Sequence, residues 1–536
     1  MITASDALIE NQSEIKIPWG AVLILVLGAF ISILDSSIVN VALPRMMAVF
    51  GASTENIQWV LTGYMLAAGV VIPISGYLCK RFGSKRIYIL ALVVFTLGSL
   101  FCGLAWSTNS IIIARIVQAV GGGMLMPVSM SMLYFMVPEE KSGIALGVWG
   151  IAAAMAPAIG PTLGGYLVDS FSWRWIFTIN IPIGLLAMAL SANYLKETPL
   201  NKELKPDLIG SLWIIIACFC LLLALSKGQD WGWSSQNIVT LFVISGFSAV
   251  LFFFWEASVP EPLFEMRLFK NPVMLASLAA LAVVTILLFS VVFLVPIYAQ
   301  NLLGYSSLQT GILMMPMALV TGLFMPISGK LFDKFGAFGI SLLGLVILIG
   351  LTYQLRLLSL DTSYNDLQIL LALRAGGIGL AMMPIANAGM LTVPESLVAN
   401  ASALNNLVRQ ISGSMGVAFT TYMVSRQQAF HLAAFSDNIN YGSPATLPVV
   451  NQLQSYLASS GVAGDTTWSA AIELIRLQAL KQSYMNGIND AIVVLTVIGL
   501  LGIPLLFMLT RRQITKQRQK EGILGTGSTV TSSMEI

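Results

Sequence analysis

Pro73-Ile-Ser-Gly-Tyr-Leu-Cys-Lys-Arg-Phe-Gly83 recurs downstream as Pro326-Ile-Ser-Gly-Lys-Leu-Phe-Asp-Lys-Phe-Gly336. Seven of the eleven positions are identical at an offset of 253 residues, and Lys334 keeps the charge of Arg81. A second echo follows at an offset of 257: Met126-Pro127 and Met383-Pro384 each lie beyond an arginine and a glycine cluster. Parallel repeats of whole helical bundles are the signature of a transporter assembled from two six-helix halves. Six helices need a smaller offset than this, so the spacing also predicts inserted sequence between the halves.

Composition agrees with a chain of membrane spans. Of the 536 residues, 57% are apolar, and a transmembrane helix uses roughly 20 of them, which allows about fifteen spans. Charged residues make up 10%, against roughly 25% in soluble proteins. That excludes a soluble enzyme, a coiled coil and a disordered chain. No Asp, Glu, Lys or Arg occurs from Asn271 to Gly329, and Arg115 is the one charge between Ile87 and Pro138. The cysteines, Cys79, Cys102, Cys218 and Cys220, lie in or beside apolar runs and imply no disulfide framework. His431 is the single histidine, which argues against a zinc or haem site. No metal, cofactor or nucleic-acid partner is expected.

Charge-poor windows bounded by turn residues predict fourteen spans, at about 19–43, 56–78, 87–106, 110–133, 143–167, 174–194, 208–226, 236–256, 272–299, 306–329, 338–356, 366–392, 399–425 and 487–510. The expected fold is an all-α polytopic membrane protein. It has a six-helix bundle over 19–194, a linker with two extra transmembrane helices over 195–271, and a second six-helix bundle over 272–510. An even count puts both termini on one side. With the N-terminus inside, that side holds 18 of the 28 Lys and Arg and the other side seven, so both termini are expected in the cytoplasm of a cell (inner) membrane protein. The acidic N-terminal stretch lacks the basic start of a signal peptide and reads as a retained tail over 1–18. A basic tail is expected over 511–536, and an external loop over 426–486 with an amphipathic helix from Thr467 to Gln482.

Chemistry is expected where charge meets apolar sequence. In Leu34-Asp-Ser-Ser-Ile-Val-Asn-Val-Ala-Leu-Pro44, Asp35 lies 16 residues beyond Trp19, roughly 24 Å along a helix. A charged aspartate there costs on the order of 2.5–3.5 kcal/mol. A low-dielectric cavity disfavours the charged carboxylate, which suits reversible protonation; the competing reading is an aspartate permanently capped for the fold. Arg115 opens Arg115-Ile-Val-Gln-Ala-Val-Gly-Gly-Gly123, and its fixed charge can act on a nearby carboxylate. Gly150-Ile-Ala-Ala-Ala-Met-Ala-Pro-Ala-Ile-Gly-Pro-Thr-Leu-Gly-Gly165 clears bulk from a helix face, while Pro157 and Pro161 favour a kink. Trp59, Tyr64, Tyr298, Gln300 and Asn405 are candidates for lining a substrate cavity, against the plainer reading of core packing or an interfacial belt.

Together these segments resemble the major facilitator superfamily, and within it the fourteen-span drug:proton antiporters of the EmrB/QacA type. Leu34–Pro44 resembles the first-span motif, Gly76–Arg86 the loop motif after the second span, and Arg115–Gly123 the fourth-span arginine motif. Gly150–Gly165 is similar to the antiporter motif, with Gly160-Pro161 and Gly164-Gly165 in place; Trp173–Pro182 and Asn405–Gly416, which contains Arg409, are similar to segments of the fourteen-span branch. The resemblance implies a major facilitator fold, proton coupling by Asp35 and Arg115, and conformational roles for Gly76, Arg81, Gly83, Gly160, Pro161, Gly164, Gly165, Asp333 and Arg409. One departure stands out: the loop motif usually has an acid where this chain has Lys80, whereas the second copy keeps Asp333.

The expected function is alternating-access export of small amphipathic drugs or toxic organic compounds in exchange for protons. The nearer alternative is the same fold dedicated to one native compound, such as a lipid, fatty acid or antibiotic. A membrane-embedded enzyme is disfavoured, since the sequence shows no paired carboxylates, nucleophile–base constellation or phosphate-cradling loop. An adaptor partner, oligomeric state and proton stoichiometry are not readable from the chain.

Overall fold

A computed structural model describes residues 17–260, 262–438, 446–459 and 467–523. Most of the expected N-terminal tail, two stretches of the external segment and the end of the basic tail lie outside the described residues, as does the side chain of Pro161. The regular elements among them are all helical. We number the long helices α1 (Trp19–Phe50), α2 (Thr54–Phe82), α3 (Ser84–Gly103), α4 (Thr108–Met136), α5 (Ser142–Ser170), α6 (Asn180–Tyr194), α7 (Leu208–Trp231), α8 (Gln236–Ser258), α9 (Pro272–Ile297), α10 (Ser307–Phe335), α11 (Ala337–Gln354), α12 (Tyr364–Met390), α13 (Val398–Asn438) and α14 (Thr467–Leu500).

Polar caps set where these apolar runs begin. Ser107 and Ser110 form a capping box at the start of α4, as do Ser306 and Gln309 at α10. Asp207 caps α7 and Asn271 caps α9, each accepting from a backbone N–H three residues on. The two repeat copies end alike: Gly83 and Gly336 take φ of 92° and 84° and turn the chain into α3 and α11. That left-handed region is open to glycine at little cost.

Among the described residues, twelve helical segments are long and apolar enough to cross a membrane, and α5 makes a thirteenth, its halves Ser142–Pro157 and Thr162–Ser170 meeting at 46°. The fourteenth long helix, α13, spans 41 residues but is more polar than the rest. Polar residues of its first turns point inward: Asn400, Ser402, Asn405 and Asn406 are all buried. Hydropathy undercounts it because its interior face carries amides where lipid-facing helices carry leucines. Helices also overrun the predicted spans. Much of 426–486 is helical, with α13 reaching Asn438, a separate helix at Thr446–Ser459, and the expected Thr467–Gln482 helix forming the first half of α14.

The packing repeats as the sequence does. The pairs α1/α5, α2/α4, α3/α4 and α3/α6 recur as α9/α13, α10/α12, α11/α12 and α11/α14. Between the halves, α5 runs antiparallel against α10, and the equivalent α13 runs against α2. The extra helices α7 and α8 pair with each other, and α7 rests on α2 and α13. Apolar side chains gain little from leaving lipid for one another, so close backbone approach through small residues holds such seams. At Gly147 a Cβ would lie 2.6 Å from the carbonyl oxygen of Met325. Gly147→Val therefore forces α5 off α10 and is expected to cost about 1–3 kcal/mol, measured as a lowered unfolding midpoint in detergent.

Candidate functional site

Asp35 sits mid-way along α1 with a fully buried side chain, and Arg115 on α4 is 1% exposed. An Arg115 Nη1 donates to Asp35 Oδ2 at 2.5 Å. The other carboxylate oxygen, Oδ1, accepts from Gln118 Nε2 at 2.8 Å and from Asn180 Nδ2 at 2.7 Å. Gln118 lies one helical turn beyond Arg115 and so shares its face. Its Oε1 accepts from Arg115 Nη1 at 2.7 Å, and its Nε2 also donates to Ser99 Oγ at 2.7 Å. Arg115 Nε donates to the Val60 carbonyl at 3.3 Å, and the guanidinium carbon stands 4.0 Å from the centre of the Tyr64 ring. Five helices of the first half, α1, α2, α3, α4 and α6, thus contribute to one cluster around the ion pair.

The second half repeats this site without the acid. Arg374 on α12 is fully buried; its Nε donates to Thr352 Oγ1 at 2.9 Å and its Nη2 to the Leu287 carbonyl at 2.7 Å. Thr352 stands 253 residues beyond Ser99, and Leu288 253 beyond Asp35. Arg374 Nη1 has no hydrogen-bond partner among the described residues. Each half therefore holds a buried guanidinium, and one of the two faces a carboxylate.

The proposed conformational residues link this site to the seam between halves. A Cβ on Gly160 or Gly164 would strike Ser37 or Ile38 of α1, two and three residues past Asp35, and Ser37 Oγ donates to the Ala156 carbonyl at 3.2 Å. No atom lies within 4 Å of a Cβ on Gly165. At the other end of α5, Asp333 of α10 accepts from the N–H groups of Gly143 at 3.0 Å and Ile144 at 3.2 Å. A carboxylate from one half thus caps the first turn of a helix in the other, where orphan donors and the helix dipole favour negative charge. At the equivalent seam Gly76 touches the backbone of Ala399 and Asn400 at the start of α13, and Lys80 stands where the second copy has Asp333. Arg81 donates to the carbonyls of Lys202 and Leu204 and so ties down the linker before α7. A Cβ on Gly83 would strike the Glu197 carboxylate. Arg409 is half-buried on α13 and forms no ion pair among the described residues.

Of the five candidate cavity residues, only Tyr64 joins the Asp35 cluster. Trp59 packs against the cluster formed by Leu66 of α2 with Leu222 and Leu223 of α7, with Lys227 Nζ 5.9 Å from its ring centre. Tyr298 is buried in the second half and donates to the Ser359 carbonyl at 2.6 Å, while neighbouring Gln300 is exposed. Asn405 is buried on α13, with its Oδ1 unpartnered among the described residues. Sequence reasoning did not single out Gln118, Ser99 or Asn180. The spacing of Gln118 from Arg115 was a usable signal for the first, and an amide inside an apolar span for the third. Ser99 looks like any small residue in a membrane helix.

Two repeated helical halves, an inserted hairpin and one buried ion pair define a membrane carrier of the two-bundle class. The chain belongs to the Major Facilitator Superfamily, whose family profile matches residues 25–417. It is 34% identical over 95% of its length to the uncharacterised transporter YhcA of Bacillus subtilis, 96% of which is covered. It is 29% identical to the multidrug export protein EmrB of Haemophilus influenzae, over 90% of this chain and 93% of that one. The lincomycin resistance protein LmrB of Listeria monocytogenes is 27% identical over 75% of this chain and 86% of its own. Among solved structures, the proton:xylose symporter XylE shares the fold at a TM-score of 0.57 and 13% identity, covering 92% of this chain and 95% of that one. The human organic anion transporter MFSD10 does so at 0.57 and 12%, covering 91% and 99%.

Removing one partner of a buried ion pair strands the other, which costs about 3–5 kcal/mol. Arg115→Ala should therefore destabilise the protein by that order. The double variant Asp35→Asn with Arg115→Gln should lose less than the sum of its singles, as read from unfolding midpoints in a double-mutant cycle.

Proposed function

We propose that this protein is a proton-coupled exporter of amphipathic drugs or toxic organic compounds, working by alternating access in the cell membrane with both termini in the cytoplasm. The observation that carries the proposal is the fully buried Asp35 carboxylate, ion-paired to Arg115 in a cluster that the second half repeats without an acid. The names of the EmrB and LmrB relatives support the substrate class. The excess of Lys and Arg on one side of the predicted spans supports the orientation.

Protonation of Asp35 removes its charge and with it the attraction to Arg115. The guanidinium then keeps Gln118, the Val60 carbonyl and the Tyr64 ring, so α1 and α4 are held together less firmly. Because α1 is packed at Ser37 and Ile38 onto Gly160 and Gly164 of α5, a shift of α1 is felt along α5. The far end of α5 is where Asp333 reaches across from α10. The charge on Asp35 thereby biases the seam between the halves, and Asp333 acts as the latch that Lys80 cannot supply at the other seam. A charge crossing 100 mV supplies about 2.3 kcal/mol, so one or two protons drive useful accumulation outside.

Arg374 is tolerated without an acid, so Asp35→Asn is expected to fold. Drug efflux driven by an imposed proton gradient in vesicles should fall about tenfold or more in that variant, equivalent to at least about 1.4 kcal/mol of lost coupling. Passive drug binding should persist. Full gradient-driven efflux by Asp35→Asn would overturn the coupling role of this residue.

A further inference from the structure

The inserted helices carry a second buried acid that the Asp35 cluster does not use. Glu256, near the end of α8, is 1% exposed. Its Oε2 accepts from the Phe264 N–H at 2.9 Å, and its Oε1 has no partner among the described residues. Asp207, the cap of α7, accepts at Oδ1 from the Gly210 N–H at 2.8 Å and from Trp255 Nε1 at 2.9 Å, while its Oδ2 is also unpartnered. Both unpartnered oxygens crowd the position that a Cβ on Gly210 would occupy, so they face each other across that glycine.

Two like charges crowded about one point are costly in a site from which Glu256 is closed to water; a carboxyl pair of this kind keeps a proton. We infer that Glu256 and Asp207 together form a proton-binding site, with one proton held between Glu256 Oε1 and Asp207 Oδ2. Glu256 carries the proton. Asp207 has two donors and the N-terminus of a 24-residue helix to stabilise its charge, and Glu256 is the more deeply buried of the two. The helix packed on α8 is α7, whose other charges, Lys227 and Asp230, pair with each other at its far end. Glu265 and Arg267 follow the covering segment, Lys205 precedes Asp207 and has interactions of its own, and Glu261 lies outside the described residues.

The site bears on the seam that lacks an acidic latch. The segment folded over Glu256 includes Leu263, whose carbonyl accepts from Asn400 Nδ2 at 2.6 Å, and Asn400 is also the residue that Gly76 of α2 touches. While the proton is bound, the segment stays down and braces the start of α13 against α2. When the proton leaves, two carboxylates face each other across Gly210, the end of α8 is pushed from the start of α7, and the brace loosens. The inserted pair thus does for one seam what Asp333 does for the other, under the control of a proton distinct from that of Asp35.

The test uses the purified full-length protein in detergent. Infrared spectra should show a protonated-carboxyl carbonyl band near neutral pH that fades as the solution is made alkaline, is absent in Glu256→Gln and is retained in Asp35→Asn. The unfolding midpoint of the wild type should fall as pH rises above about 4.3, where the unfolded glutamate has lost its proton and the folded state still holds one, and should level off once the band has faded. That fall should be abolished in Glu256→Gln and reduced in Asp207→Asn, which removes the repulsion but leaves Glu256 buried. A band and pH profile unchanged by both variants would overturn the inference. So would stabilisation by sodium but not by choline at equal ionic strength and high pH, which would assign the pair to a metal cation.

Discussion

A carboxylate and a guanidinium buried together in the first half are the constraint around which the rest is arranged. Neither is tolerated alone in a membrane interior without compensation, and here each receives it in full. Asp35 has three side-chain donors, Arg115 has the carboxylate, an amide oxygen, a backbone carbonyl and an aromatic face. The pair and its partners come from four helices, so it ties the bundle together through its charge. The second half shows the contrast, since Arg374 is held by a carbonyl and a hydroxyl and has no charge to gain or lose opposite it. A change of one proton can therefore alter one bundle and leave its repeat untouched.

Glycine carries that difference outward. Helix α5 meets α1 through Gly160 and Gly164 and meets α10 through Gly143 and Gly147, so one helix touches both the helix that carries Asp35 and the opposite half. In lipid, such contacts depend on backbones approaching closely, and displacement of one backbone is not absorbed by soft side chains. The Asp333 carboxylate on the first turn of α5 adds a directional bond to this seam. The other seam, α2 with α13, has a lysine at the equivalent position and is braced through Asn400 and the segment after α8. The repeat is thus symmetric in packing and asymmetric in its ionisable groups.

Much of this was legible in the chain. The repeat at 73–83 and 326–336 placed two matching turns, and the glycines at their ends adopt the same left-handed geometry. Charge scarcity drew attention to Asp35 and Arg115 because a lone charge in an apolar run has to find a partner. The polar environment of the pair was harder to read: Ser99 and Asn180 come from helices remote in sequence, and small or amide side chains are common in membrane spans for packing alone. Helix α13 was legible as the charge-poor window at 399–425, although its amides face the interior and lower its hydropathy. Trp59 illustrates the opposite error of reading, for an aromatic near a span start signals burial without saying against what, and here it rests on inserted α7. The pairing of Asp207 with Glu256 was invisible for the same reason, since 49 positions of sequence separate two residues that a helical hairpin brings together.

The central claim is that Asp35 exchanges its proton as substrate comes and goes. It is tested most directly by adding substrate to the purified protein in weakly buffered detergent solution and recording proton release with a pH-sensitive dye. The account predicts release on substrate addition by the wild type and none attributable to this site in Asp35→Asn, with substrate still bound. Equal release by the wild type and the variant would contradict it.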